Sequence, residues 1–323
     1  MNPYEIYYRN SRMSLLPGET VLAALERQGH QQPASCRAGV CQSCVMKVVE
    51  GAVPAAAQAG LKASWKEQGY FLPCVCKPNS SLQIVDVAAF GEPKNVSLIE
   101  SVTLGVDVKL FRFQRPRDFH FHAGQFLSFR RDDGLMRTYS IASLPAEKDF
   151  FDIHVRRVAG GQMSAWLHDE ALPGTSLQVT GPKGDCYYQS DTGEETLILL
   201  GLGTGIAPLY AITQQALREK HQGPIQVIQG STTSERLYLL ANWRGLVQEH
   251  ENLSYRNSVL HPTAGDDEDT VVGDIGQLMS EVIAAAKNHR LYLCGDAAIV
   301  QRLKKQAFLA GVSMKHIFAD PFI

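Results

Sequence analysis

Gly201-Leu202-Gly203-Thr204-Gly205-Ile206-Ala207-Pro208 joins an apolar run at 197–200 to a segment of helical periodicity at 208–219. A buried strand, a glycine turn and a helix, in that order, form one half of a crossover unit. Working outward, 225–229 is a second apolar run, 275–287 a helix, 291–294 a strand and 297–310 a last helix. This alternation predicts an α/β segment with a parallel sheet over residues 193–323. The acidic run 266–269 reads as a solvated loop.

Upstream the rhythm changes. Short alternating runs at 98–104, 106–113, 125–130, 138–142, 151–156 and 176–180 are separated by Gly/Pro turns and interrupted by one helix at 163–170. Strands at such spacing predict a small antiparallel β-barrel over residues 93–192. Two elements in it suit phosphate. Arg137-Thr138-Tyr139-Ser140 offers a guanidinium, an aromatic ring and a hydroxyl along one strand, and Gly160-Gly161-Gln162-Met163-Ser164 places glycines before a helix whose first amides are free to bind an anion. Alone, R-x-Y-S is short enough to arise by chance in a barrel strand. His154, Val155 and Arg156 lie on the strand that feeds the glycine loop; His154 reads as a strand residue beside a ligand rather than an acid–base group.

Residues 1–92 carry a third pattern. Segments 4–9 and 11–15 predict a hairpin, and 20–29 a helix capped by Thr20 and ended by Gly29, with Val21, Leu22 and Leu25 facing a core. Strands follow at 45–49 and 82–87, and Gly91-Glu92-Pro93 punctuates the chain. Five of the seven cysteines fall here, at 36, 41, 44, 74 and 76. Cys36, Cys41 and Cys44 stand as C-x4-C-x2-C, and Cys74 follows after 29 residues. That is the plant-type spacing for a [2Fe-2S] cluster, with Gly39 where backbone must pass close to sulfide. Zinc, which usually takes two C-x2-C knuckles, and ordinary buried thiols are the competing readings. Cys76 and Cys186 read as small core residues.

The totals set outer bounds. With 323 residues, 45% hydrophobic and 20% charged, the chain has the balance of two or three globular domains. A net charge of -2 supplies no basic field for nucleic acid or anionic lipid. The first residues, Met1-Asn2-Pro3-Tyr4-Glu5, do not read as an export signal and no run is long enough to span a bilayer, so no membrane is expected and the cytoplasm is the expected location.

Taken together, Cys36-Arg37-Ala38-Gly39-Val40-Cys41-Gln42-Ser43-Cys44 with Pro73-Cys74-Val75-Cys76, the R-x-Y-S strand, the Gly203-Thr204-Gly205-Ile206-Ala207-Pro208 turn and Cys294-Gly295-Asp296 make the chain resemble the ferredoxin-NADP reductase superfamily. Within it, the order of parts is similar to electron-transfer proteins with an N-terminal plant-type ferredoxin domain, such as reductase components of bacterial multicomponent oxygenases. Ile206 stands where a simple dinucleotide fingerprint would have its third glycine, and Gln42 where a small residue is common. The resemblance implies a β-grasp [2Fe-2S] domain (1–92), an FAD-binding barrel (93–192) and an NAD(P)H-binding domain (193–323). It also implies iron ligands Cys36, Cys41, Cys44 and Cys74. Arg137, Tyr139, Ser140, His154, Val155, Arg156, Gly161, Met163 and Ser164 would lie at the flavin, with Ser140 at its reactive edge. Gly203, Thr204, Gly205, Pro208, Gly295 and Asp296 would lie at the nicotinamide dinucleotide, with Cys294 beside its reactive carbon.

A hydride carries two electrons and a [2Fe-2S] cluster accepts one, so a flavin between them is a chemical necessity. Glu235, after the second strand of the third segment, favours NADH through a free ribose diol, while Arg236 and Ser231 keep NADPH as the alternative. The expected partner is an oxygenase or hydroxylase component or another iron enzyme. A deoxysugar dehydratase, served as in CDP-6-deoxyglucoseen reductase-like proteins, is the alternative acceptor. Phe322 near the C-terminus is read as a buried tail residue, with stacking on the flavin as the other possibility for it.

Overall fold

Alternation in Glu-Ile-Tyr-Tyr and Ser-Arg-Met-Ser buries Ile6, Tyr8 and Met13 and pairs β1 (Glu5–Tyr8) with β2 (Ser11–Ser14) antiparallel. Thr20 then accepts a hydrogen bond from the Ala23 amide, 3.2 Å, and starts α1 (Val21–Arg27). α1 sets Val21, Ala24 and Leu25 against Ile6, Met46, Phe71 and Ile84. These residues cap one face of a mixed sheet ordered β2-β1-β5-β3-β4, where β3 is Met46–Glu50, β4 Tyr70–Phe71 and β5 Leu82–Asp86. β1 and β5 run parallel and the other pairs antiparallel, the β-grasp arrangement expected.

The structure is a computed structural model that describes residues 4–9, 11–61, 65–66, 69–86, 93–117, 119–189, 193–263, 270–285 and 288–322; the predicted acidic loop at 266–269 lies outside them. It forms two compact units, the first chiefly residues 1–92 and the second chiefly residues 93–323.

In the second unit, β6 (Lys94–Thr103), β7 (Val108–Gln114), β8 (Phe126–Arg130), β9 (Met136–Ser140), β10 (Phe150–Arg156) and β11 (Ser176–Lys183) form a sheet ordered β10-β7-β6-β11-β8-β9. An antiparallel bridge from Ile141 to Ile153 joins its two edges and closes the barrel. Phe111, Phe113, Phe129 and Phe151 fill it, with Phe113 and Phe129 rings 5.2 Å apart. α2 (Gln162–Asp169) is the one interruption that the sequence pattern predicts.

The remaining strands are all parallel: β12 (Thr196–Leu202), β13 (Ile225–Thr233), β14 (Leu253–His261), β15 (Thr270–Val272), β16 (His289–Asp296) and β17 (Ile317–Phe322), ordered β15-β14-β13-β12-β16-β17. Leu197 and Leu199 point into the core under α3 (Ile206–Arg218) and α4 (Leu240–Glu249). Ile198 and Leu200 point the other way, under α5 (Ile275–Ala285) and α6 (Ala297–Leu309). A strand buried on both faces reads as an unbroken apolar run, as Leu197-Ile198-Leu199-Leu200 does. The sequence reading omits α4, β14, β15 and β17. The order in which strands are added reverses at β12, with β13 to β15 on one side and β16 and β17 on the other, and a crevice at the carboxyl ends of β12 and β16 is where such folds bind ligands. Among the described residues no helix is long and apolar enough to cross a membrane.

Candidate functional site

In the first unit the cysteine loop curls because Arg37, Gly39 and Gln42 all take left-handed φ, +53°, +77° and +56°. Such reversals turn successive amides inward and make an anion-binding concavity. The amides of Ala38, Val40 and Cys41 point at Cys36 Sγ at 3.3–3.4 Å, and the Cys36 amide at Cys41 Sγ at 3.5 Å. Cys41 Sγ lies 2.8 Å from Ser43 Oγ, which also accepts the Ser35 amide. Cys44 and Cys74, both buried, bring their sulfurs to 3.2 Å. The Cys41 thiol and these amides hold Cys36 down to about 5, while the Cys36 neighbour and burial push Cys41 up.

The four sulfurs thus come as two pairs, Cys36 with Cys41 and Cys44 with Cys74. Two irons with two thiolates each need that division, and the surrounding amides suit the negative charge of a sulfide-bridged centre. Cys76 is fully buried in the core, as expected. Gln42, the departure from a small residue, donates outward to the Gly60 carbonyl, 3.2 Å, and leaves the concavity clear.

In the second unit, the turn after β12 is a 3-10 segment, Gly203–Gly205, leading into α3. Glycine is required here by contact. A Cβ at Gly205 would stand 2.1 Å from the Cys294 carbonyl oxygen, and one at Gly295 2.7 Å from Leu202 Cβ and carbonyl oxygen. The end of β16 therefore rests on the turn, backbone on backbone. A Cβ at Gly201 would meet the Ile206 backbone at 2.7 Å, so the close approach lies at the first glycine and α3 can begin at Ile206 without a third. Pro208 is buried in the first turn of α3, where a missing amide costs nothing.

Cys294 is fully buried, 3.6 Å from Cys186 Sγ, and burial keeps it a neutral thiol. Parallel pairing of β16 with β17 sets Asp320 opposite Cys294. Ser140 Oγ donates to Asp320 Oδ2 at 2.6 Å, and burial pushes that carboxyl up to about 6. Ser140, predicted on the flavin side, and Cys294, predicted on the nicotinamide side, therefore meet at one carboxylate. Sequence reading missed Asp320, because only the β16–β17 register reveals its place.

The other predicted residues divide. Tyr139 sets its ring edge-on to Phe129 at 5.7 Å, and Arg137 is exposed, donating to the Met136 carbonyl. Gly161 starts α2 with no side-chain cap, leaving the first amides without a side-chain partner. Ser164 is used locally, its Oγ accepting the Val158 amide at 3.1 Å, while Met163 and Val155 are core. His154 is buried 3.3 Å from the Tyr238 hydroxyl, and burial holds its pKa down to about 3, so it stays neutral. Arg156 is set against the glycine turn: a Cβ at Gly203 would meet its Nη2 at 2.6 Å, so the guanidinium lies over that turn. Its buried Nε has no hydrogen-bond partner. Thr204 shares the turn. Asp296 caps α6, accepting the Ile299 amide at 3.1 Å. Glu235 is exposed in the turn Ser234–Arg236 after β13. Phe322 packs on the core beside Phe318.

An uncapped helix start in the barrel, together with a glycine turn under a guanidinium at the sheet's reversal point, fits two phosphate-bearing groups. Comparison with known proteins agrees. Family models match residues 10–79 as a 2Fe-2S iron-sulfur cluster binding domain, 95–188 as an oxidoreductase FAD-binding domain and 199–305 as an oxidoreductase NAD-binding domain. The chain is 28% identical over 314 residues to the reductase component of the naphthalene 1,2-dioxygenase system of Pseudomonas putida, covering 94% of each. It is 26% identical to the reductase subunit of an Amycolatopsis aromatic O-demethylase, covering 96% of each. Among solved structures it is similar to an Amycolatopsis cytochrome P450 reductase, with TM-score 0.71, 25% identity, and 99% of this chain and 98% of that one covered.

Proposed function

We propose that this chain, which belongs to the ferredoxin-NADP reductase-type electron-transfer proteins with an N-terminal plant-type [2Fe-2S] domain, takes hydride from NADH and delivers single electrons to the oxygenase or hydroxylase component of a multicomponent system. It is an oxidoreductase of FAD, a [2Fe-2S] cluster and NAD. The residue ranges 1–92, 93–192 and 193–323 are taken as the three functional parts, and the cytoplasm as the place of work.

The observation that carries the reading is the Ser140–Asp320 hydrogen bond opposite Cys294. When bound, the flavin accepts the electron pair and releases electrons one at a time. The chain's own residues do the rest. Ser140 presents a hydroxyl at the reactive edge and Asp320, poised near 6, holds or releases a proton at its carboxyl oxygen within 2.6 Å. Cys294, kept neutral by burial, serves as a small polarizable wall and not as a nucleophile. Arg156 and the Gly203–Gly205 amides would hold the dinucleotide diphosphate, and the α2 start would hold the flavin phosphates. Cys36, Cys41, Cys44 and Cys74 would hold the irons, and the loop amides that donate to Cys36 and Cys41 sulfurs would favour the negative charge of the centre.

The relatives named above serve a dioxygenase and an O-demethylase, which supports an oxygenase-class acceptor over a sugar dehydratase. The test separates the two halves of the relay. In the Cys41→Ser protein, NADH-driven reduction of ferricyanide is expected to persist and reduction of cytochrome c to be lost; equal loss of both overturns the order proposed.

A further inference from the structure

The end of β13 and the turn after it, Ser231-Thr232-Thr233-Ser234-Glu235-Arg236-Leu237-Tyr238, hold one cation, Arg236. In a parallel sheet of this kind the end of the second strand reaches the ribose of a dinucleotide whose diphosphate lies on the first glycine turn. A 2'-phosphate there would take up Arg236. The guanidinium is already occupied: its Nη1 donates to Asp107 Oδ2 at 2.9 Å. Asp107 sits in the β6–β7 turn of the barrel, where its carbonyl accepts the Arg157 amide at 2.8 Å, so its backbone is tied down. The same carboxylate oxygen lies 3.5 Å from Arg156 Nε. One anion from the barrel therefore faces two guanidiniums at the dinucleotide crevice. Neighbouring Tyr238 is buried against His154 and Gly105 and fixes the turn's path.

We propose that Asp107 is a coenzyme-selectivity residue that excludes NADPH: it holds Arg236 away from the ribose and sets a carboxylate where a 2'-phosphate would bring a second negative charge. This rests on the NADH reading above. The Asp107–Arg236 pair is half exposed, side chains 20% and 47%, so its own strength is modest and its effect is discrimination rather than stability.

The test measures kcat/KM for NADH and NADPH with ferricyanide, and calorimetric Kd values for NAD+ and NADP+. Asp107→Asn is expected to raise the NADPH:NADH preference roughly five- to tenfold, the scale of one freed guanidinium–phosphate contact at an exposed site. Arg236→Ala alone is expected to leave the preference within about twofold, and the double variant to lose the part of the gain that a freed Arg236 supplies, keeping only the smaller rise that removing the carboxylate gives. If Asp107 acted only by orienting Arg156, both coenzymes would weaken together with the ratio unchanged, and the proposal would fall while the NADH reading stood. If the unaltered protein itself prefers NADPH, the NADH reading fails and the proposal with it. Should Asp107→Asn not fold, Asp107→Ser carries the same comparison.

Discussion

Replacing Asp320 by Asn should stabilise the protein at neutral pH while slowing it. The carboxyl is pushed from an ordinary 3.8 up to about 6 by burial, against which the Ser140 hydroxyl works only partly. A carboxyl whose folded pKa lies above its unfolded one binds the extra proton in the native state between those values. The contribution of this carboxyl is therefore most favourable below about pH 4 and is lost as pH rises through 6. The full cost above that window is about 3 kcal/mol at 1.36 kcal/mol per pH unit, trimmed toward about 2 by the solvent that reaches part of the residue. Asn keeps an acceptor for Ser140 and removes the charge. For a unit of this size the gain amounts to a melting-temperature rise of roughly 5–10 °C at pH 7.5, shrinking to nothing near pH 4. NADH-driven ferricyanide reduction should fall by about two orders of magnitude, the lower end of the share of a positioned proton-handling group. Scanning calorimetry at the two pH values, beside steady-state rates, reads both. A variant less stable at pH 7.5, or offset equally at both pH values, refutes the account of Asp320 as a carboxylate held against its solvation.

Two further outcomes are expected. Gly205→Ala drives a methyl into the Cys294 carbonyl, 2.1 Å away, between two strand ends that cannot withdraw, so calorimetric NAD+ affinity should drop at least tenfold while the visible iron–sulfur absorption stays; unchanged affinity would show the turn lies elsewhere. His154, held by burial from 6.5 down to about 3, contributes stability above pH 6.5 that is lost as pH falls toward 3, so His154→Gln should flatten the acid limb of the melting curve, and an equally steep limb would refute the assignment.

Local signals were legible where local forces decide. The β1–β2 hairpin and α1 follow from alternation and a threonine cap, and the barrel strands start and stop at glycine and proline turns within a few residues of expectation. α4 was illegible because it lacks such signals: it begins after Leu239 in left-handed φ, +64°, carries Gly245, and buries only Trp243. β17 was hidden by Asp320 and Pro321, which are poor strand residues tolerated because β17 is the edge of its sheet. In the site, the proposed iron ligands are legible from spacing, since three of them share nine residues. Asp320 meets Ser140 across 180 residues, and Arg156 crosses from barrel to glycine turn; contacts of that range depend on tertiary register, which no motif encodes.

The glycine contacts at 205 and 295 have a mechanical corollary. With no side chain between them, the glycine turn after β12 and the strand tip that bears the thiol behave as one rigid part, so neither can be lengthened by a residue without dragging the other out of alignment. Length is therefore constrained there as tightly as residue identity, and tolerance for inserted residues should be sought on the far edge of the sheet, beyond β14.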